Sequence, residues 1–376
     1  MNEHVDRPVA PAGQPRFLVD SYLDWIAAEG VPVVEDFCVD LHRVETRFWP
    51  RMGADGAVVH MKGRGDFISV FLVDLPPGGT TAPLRHLYEE IFYVLSGYGA
   101  TTVEDADGAS HTFEWGPGSM FAPPLNTRYR IFNGSGVERA RIASTNNLPM
   151  MMNALRNEKF IFENPFAFTE RGGGESYFGG KGTLVPTHGN RQMWETNFVP
   201  DMRSFKLNNW SARGAGSANM VFCLAEGTMH AHCSEMSVGT YKKAHRHGPD
   251  FHVFIVKGEG YSLFWHEGED YRRYDWHPGC VFAPTDMIWH QHFNTSAEPV
   301  RYMATAYGSS RYPFSAEKRR IKLGVDVSVK KGGAQIEYTD QDPRIHRMYL
   351  DALAKNGVQC RMGEFLDEKM LLGETA

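Results

Sequence analysis

Two pairs of histidines stand out by their spacing: His245 and His247 in "YKKAHRHGPDFHVFIVKGEG", and His290 and His292 in "WHQHFN". Residues two apart on an extended strand project to one face. His245 and His247 should therefore point together while Arg246 points away, and His290 with His292 offers a third imidazole from a second strand. Three neutral imidazoles leave the full 2+ charge on a bound ion and up to three open positions in an octahedral field. A bidentate anionic substrate and dioxygen could fill those positions, where positioning alone can supply about 7 to 11 kcal/mol of a barrier. The expected ligand set is His245, His247 and His290. His292, roughly 6 to 7 Å farther along the strand, then suits hydrogen bonding or acid–base work, and it replaces His290 as ligand if the register differs.

Several neighbours have two readings each. His232, in "MHAHCSE" on the preceding strand, either supports a ligand from behind or bonds a backbone carbonyl. Phe251 and Trp289 either wall an aromatic pocket or fill a barrel. Arg246 is a substrate clamp, or a salt-bridge or interface residue. His252 and Asn294, beside these motifs, complete the set of residues expected near a substrate.

The elements that position these residues come from an internal repeat. At an offset of 161 residues, Gly78 through Ser135 aligns with Gly239 through Ser296 without a gap. Among the matched residues are Arg85/Arg246, His86/His247, Gly97/Gly258, Gly99/Gly260, Trp115/Trp276, Phe132/Phe293, Asn133/Asn294 and Ser135/Ser296. A duplicated unit follows. The first copy is an internal control: His245, His247 and His290 correspond to Leu84, His86 and Tyr129. Two of three ligands are gone there, and His86 with Glu90 is too few for a closed site, so that copy is expected to be structural or to shape an interface.

Within each copy the apolar runs are short, β-branched or aromatic, and broken by Gly, Pro and Asp, as in "IFYVLSGYG" and "VFAPT". These read as strands of an antiparallel sandwich or barrel. Two helices are predicted outside the repeats: 21–29, with Asp20 as N-cap and Gly30 as stop, and 343–356, with Asp342 before a first-turn proline and Gly357 after it. Residues 150–212, including "RGGGESYFGGKG", are too long for an ordinary loop and either cross between domains or lid a site. The expected organisation is an N-terminal arm (1–65), a first barrel (66–148), a linker (149–212), a second barrel (213–310) and a C-terminal extension (311–376).

Gly239, five residues, His245-x-His247, Gly258, then "PGCVFAP" and His290-x3-Asn294 resemble the two cupin motifs, and the repeat pair makes the chain similar to a bicupin. The resemblance implies an all-β fold of two cupin barrels (double-stranded β-helix, jelly roll) in tandem with a few peripheral helices. It would place a glutamate ligand seven residues before Gly258, where this chain has Phe251, flanked by Asp250 and His252. Cupins with "HRH" in the first motif and "WHxHxN" in the second resemble gentisate and 1-hydroxy-2-naphthoate dioxygenases, iron(II) ring-cleaving enzymes. One departure is that the intact triad lies in the C-terminal copy, whereas that family carries its principal site in the N-terminal one. The resemblance implies Fe(II), with Mn, Ni or Zn as alternatives. It also implies dioxygen and a hydroxylated aromatic or other chelating carboxylic acid as substrates in aromatic catabolism, and a homo-oligomer. An oxygen-independent decarboxylase, isomerase or hydrolase, and a non-catalytic small-molecule-binding bicupin, stay open.

Composition narrows the function further. Across 376 residues the formal net charge is −6, which offers no basic field for nucleic acid or an anionic membrane. The five cysteines, Cys38, Cys223, Cys233, Cys280 and Cys360, are odd in number and not spaced as a zinc ribbon or redox pair, as in a reduced intracellular protein. The opening "MNEHVDRPVAPAGQPRF" lacks the apolar core of a signal peptide, so a cytoplasmic location is expected.

Overall fold

The computed structural model describes residues 16–62, 67–105, 107–171, 175–187, 192–248, 251–314 and 325–367. The short apolar runs form strands that stack as two jelly-roll barrels in tandem, each built of a large and a small sheet. In the first barrel the large sheet runs Val33–Asp36, Ala54–Met61, Ser69–Leu75, Ala140–Asn146, Glu90–Ser96, Met120–Phe121, Phe198–Val199, and the three-stranded sheet is Arg128–Asn133, Gly99–Glu104, Ser110–Trp115. In the second, Ala218–Leu224, His230–Met236, Val300–Ala306, Phe251–Lys257 and Cys280–Phe282 lie side by side, opposite Arg272–Trp276, Gly260–Trp265 and Trp289–Asn294.

Several residues repeated between the copies have identical structural duties. A Cβ on Gly99 would lie 2.0 Å from the Phe132 carbonyl oxygen and 2.5 Å from the Trp115 ring; on Gly260 it would lie 2.0 Å from the Phe293 carbonyl oxygen and 2.5 Å from Trp276. The tryptophan indoles donate to Thr101 Oγ1 at 3.0 Å and Ser262 Oγ at 2.9 Å respectively. Asn133 Nδ2 donates to the carbonyls of Leu75, Pro76 and Glu138, and Asn294 Nδ2 to those of Met236, Ser237 and Glu298. Each asparagine Oδ1 then accepts from the backbone of Ser135 or Ser296.

The two barrels exchange strands. Cys38–Asp40, near the N-terminus, pairs antiparallel with Cys280–Phe282 of the second barrel. Phe198–Val199, from the glycine-rich connection, pairs with Met120–Phe121 of the first. Between the large sheets lies an apolar cluster drawn from both halves, including Val59, Leu72, Tyr93, Met120, Phe254 and Met303. Glu89 of the first barrel locks the join by accepting from Thr228 N and Oγ1, both at 2.7 Å, and Met229 N at 3.0 Å, and by pairing with Arg171.

Both helices form at the residues predicted. Asp20 Oδ1 accepts from Leu23 N, and Asp342 Oδ1 from Arg344 N; Gly30 and Gly357 close the helices at φ of 67° and 65°. The first buries Tyr22, Trp25 and Ile26 in the first barrel's core. The second packs Ile345, Tyr349 and Leu353 with Tyr241, Tyr261 and Phe293 on the outer face of the second. All five cysteines are free thiols. Among the described residues no helix is long and apolar enough to cross a membrane.

Candidate metal centre

The segment carrying His245 and His247 is an irregular run rather than a continuous strand. Its register comes from a reciprocal backbone pair: His245 N donates to His290 O at 3.0 Å and His290 N to His245 O at 2.9 Å. The C-terminal extension holds it from the other side, where Arg246 N donates to Ala334 O at 3.0 Å. The alternation is therefore broken. Lys242 turns inward, Lys243 and Ala244 turn outward in succession, and His245 and His247 turn inward with Arg246 outward between them.

The result is a tight group of rings. His245 and His290 centroids lie 4.1 Å apart, His247 and His290 4.8 Å, His245 and His247 5.3 Å. One nitrogen of each ring falls within 4.8 Å of the other two, close enough for small ring movements to share one ion at bond lengths of about 2.1 Å. His290 Nδ1 is 3.0 Å from the Ile288 carbonyl oxygen, which can only accept, so Nδ1 carries the proton and Nε2 the free lone pair. His245 Nδ1 is buried without a hydrogen-bond partner, as suits a ring awaiting an exogenous bond. Burial, reinforced by Arg213 and the neighbouring histidines, holds His245 well below its ordinary 6.5. Burial, with Arg213 adding to it, takes His290 to about 3. Both rings are thus neutral at physiological pH, the state that ligates a metal. The donor set fits a divalent transition ion.

His292 lies beside the group, 5.5 Å from His290 and 6.1 Å from His245 between centroids, with Nδ1 2.8 Å from Ser262 Oγ. Phe251 stands against His247 at 4.5 Å, at the position where the cupin resemblance places a carboxylate. Asp250 lies outside the described residues. The His232 ring lies 6.0 Å from that of Phe251 and 6.3 Å from that of Tyr302 between centroids, and its Nδ1 is 2.8 Å from His230 Nε2.

Three expectations are corrected. His252 alternates away from Phe251 into the join between barrels, 3.5 Å from Thr145 Oγ1. Trp289 alternates away from His290 onto the outer face, where Arg246 lies 4.5 Å over its ring. Asn294 is fully committed to the turn bonds described above. His252 and Trp289 face away from the triad because successive strand residues face opposite sides, whereas Asn294 shares the face of His290 and His292 and spends its side chain on the turn. Arg246 also points outward and pairs with Glu267 at 3.3 Å.

The residues missed from sequence are interior ones. Lys242 Nζ donates to Tyr302 Oη at 2.9 Å, and Arg213 Nη1 donates to Gln335 Oε1 at 2.9 Å. Lys242 was visible in "YKKAHRHG", but a strict period of two puts it on the opposite face from His245.

The first barrel has the same scaffold with the chemistry closed. Leu84 and Tyr129 form the reciprocal backbone pair at 2.8 and 2.9 Å. The Tyr129 hydroxyl reaches His86 Nε2 at 2.9 Å and donates to Glu90 Oε2 at 2.9 Å, and Ser144 Oγ bonds the other oxygen of Glu90. Tyrosine thus satisfies the remaining histidine and carboxylate internally.

Residues 71–145, in this first barrel, match the family model described as "Cupin domain". The second barrel has the same jelly-roll layout as this matched one. No curated protein matches the sequence. Among solved structures the chain is similar to Lactobacillus farciminis oxalate decarboxylase in a formate complex, at 14% identity and TM-score 0.49, covering 78% of this chain and 94% of that one. It is also similar to Bacillus subtilis oxalate decarboxylase, described with Mn(II) centres, at 14% identity and TM-score 0.47, covering 73% and 78%.

Proposed function

We propose that the second cupin barrel is a mononuclear metal centre and that the protein is a non-haem Fe(II) dioxygenase, cleaving a hydroxylated aromatic acid or a related chelating carboxylic acid. The observation that carries this reading is the convergence of buried His245 and His290 with half-buried His247, whose ligand atoms lie within 4.8 Å of one another with Phe251 where a carboxylate would stand. A divalent iron held by such a set supplies Lewis acidity and redox capacity to bring a chelating anion and dioxygen together. The chain's own residues prepare that encounter. The Ile288 carbonyl fixes the His290 tautomer. Phe251 is apolar and adds no negative charge beside His247, which favours an anionic substrate. His292, with Nδ1 engaged by Ser262, has Nε2 left to exchange a proton with the substrate.

The test is metal analysis of anaerobically purified protein, followed by an oxygen electrode with gentisate, salicylate and hydroxynaphthoates. One iron per chain and oxygen uptake with one class of hydroxy acid are expected, and His245→Ala should lower both by at least about 100-fold. Full metal occupancy in His245→Ala overturns the ligand assignment. Turnover without oxygen uptake assigns the centre to oxygen-independent chemistry on Mn, Ni or Zn.

A further inference from the structure

We propose that Lys242 and Tyr302 form the seat for the substrate's carboxylate inside the second barrel and so set its preference for anions. This rests on reading the histidine triad as a substrate-bearing metal centre. Lys242 is 1% exposed and Tyr302 5%. Lys242 Nζ donates to Tyr302 Oη at 2.9 Å and lies 4.8 Å from the ring centroid. Among the described residues no Asp or Glu carboxylate pairs with this lysine. Burying an ammonium without a counter-ion is costly, and a position that needed only filling would be served by Leu or Met. Nζ has two further N–H groups to donate, and the neighbouring hydroxyl adds another polar hydrogen-bonding group.

The pair lies on the same interior side as the triad. The Tyr302 ring is 5.4 Å from His292, which is 5.5 Å from His290. Buried Arg213 makes the interior more positive. The first barrel shows what the scaffold needs without a substrate: Thr81 N donates to Ile131 O where Lys242 N donates to His292 O. Its equivalents of Lys242 and His292 are a threonine and an isoleucine. The lysine is thus dispensable to the barrel and specific to the copy with the open triad.

The test uses the full-length protein loaded with Co(II) and compares salicylate with its neutral analogue salicylamide. Comparing that affinity ratio between wild type and variant at equal cobalt content cancels the metal's own preference for a carboxylate. Lys242→Met should lower the salicylate preference at least about tenfold with cobalt content unchanged, and Tyr302→Phe should lower it several-fold. An unchanged ratio in either cobalt-replete variant overturns the seat, and Tyr302→Phe alone decides if Lys242→Met does not fold. Failure of the wild type to take up cobalt removes the metal-centre reading instead. Calorimetry on that metal-free protein then decides the seat separately, which stands if the salicylate preference still tracks Lys242 and falls if it does not.

Discussion

Three of the buried histidines of the second barrel, His245, His290 and His292, make its stability depend on acid. Burial takes His290 to about 3 and holds His245 and His292 well below 6.5. Each binds its proton more readily once unfolded, so between the ordinary value and the depressed one the unfolded chain carries more protons. Stability then rises with pH across that window. The contribution is fully present above about pH 6.5 and is lost as the pH falls toward about 3. The urea midpoint of metal-free protein should therefore hold steady above about pH 7 and drop as the pH falls through about 5.5, with a shallower drop in His290→Asn. Equal slopes in the two proteins would mean that His290 is not held neutral. The triad was legible in the sequence because spacing and repeat register both pointed to it. Lys242 was not, because the two successive outward residues Lys243 and Ala244 break the alternation on which such reading depends.

At the scale of elements, the repeat carries its own explanation. Gly99 and Gly260 are kept because the strand carbonyl behind each leaves no room for a methyl group. Gly260→Ala should destabilise the protein by about 3 kcal/mol or more, measured by urea unfolding, whereas Gly136→Ala, with nothing within 4 Å of its added carbon, should stay within about 0.5 kcal/mol. Equal effects would show that the close packing at Gly260 is not what fixes the residue. The helices were legible from their caps, and the barrel strands from short β-branched runs between turn residues. The exchanged strands Cys38–Asp40 and Phe198–Val199 were not. Runs of three and two residues are too short to show any period, and their partners are remote in sequence.

For the whole molecule, the decisive arrangement is that each half completes the other's sheet while a shared apolar cluster lies between them. Calorimetry of the metal-free chain should accordingly give one cooperative transition. Glu89→Gln, which removes the charge at the hub joining Thr228, Met229 and Arg171, should lower its midpoint by the several degrees that ~1 to 3 kcal/mol represents. Two resolved transitions would show that the halves fold independently. The first barrel, with its tyrosine-sealed interior, shares that apolar cluster with its partner. The two crossing segments also act as a mutual handclasp. Either copy made alone would leave a raw sheet edge looking for a strand, so a gene cut between the copies would yield fragments that stick to each other, or to themselves, before either reached its folded state.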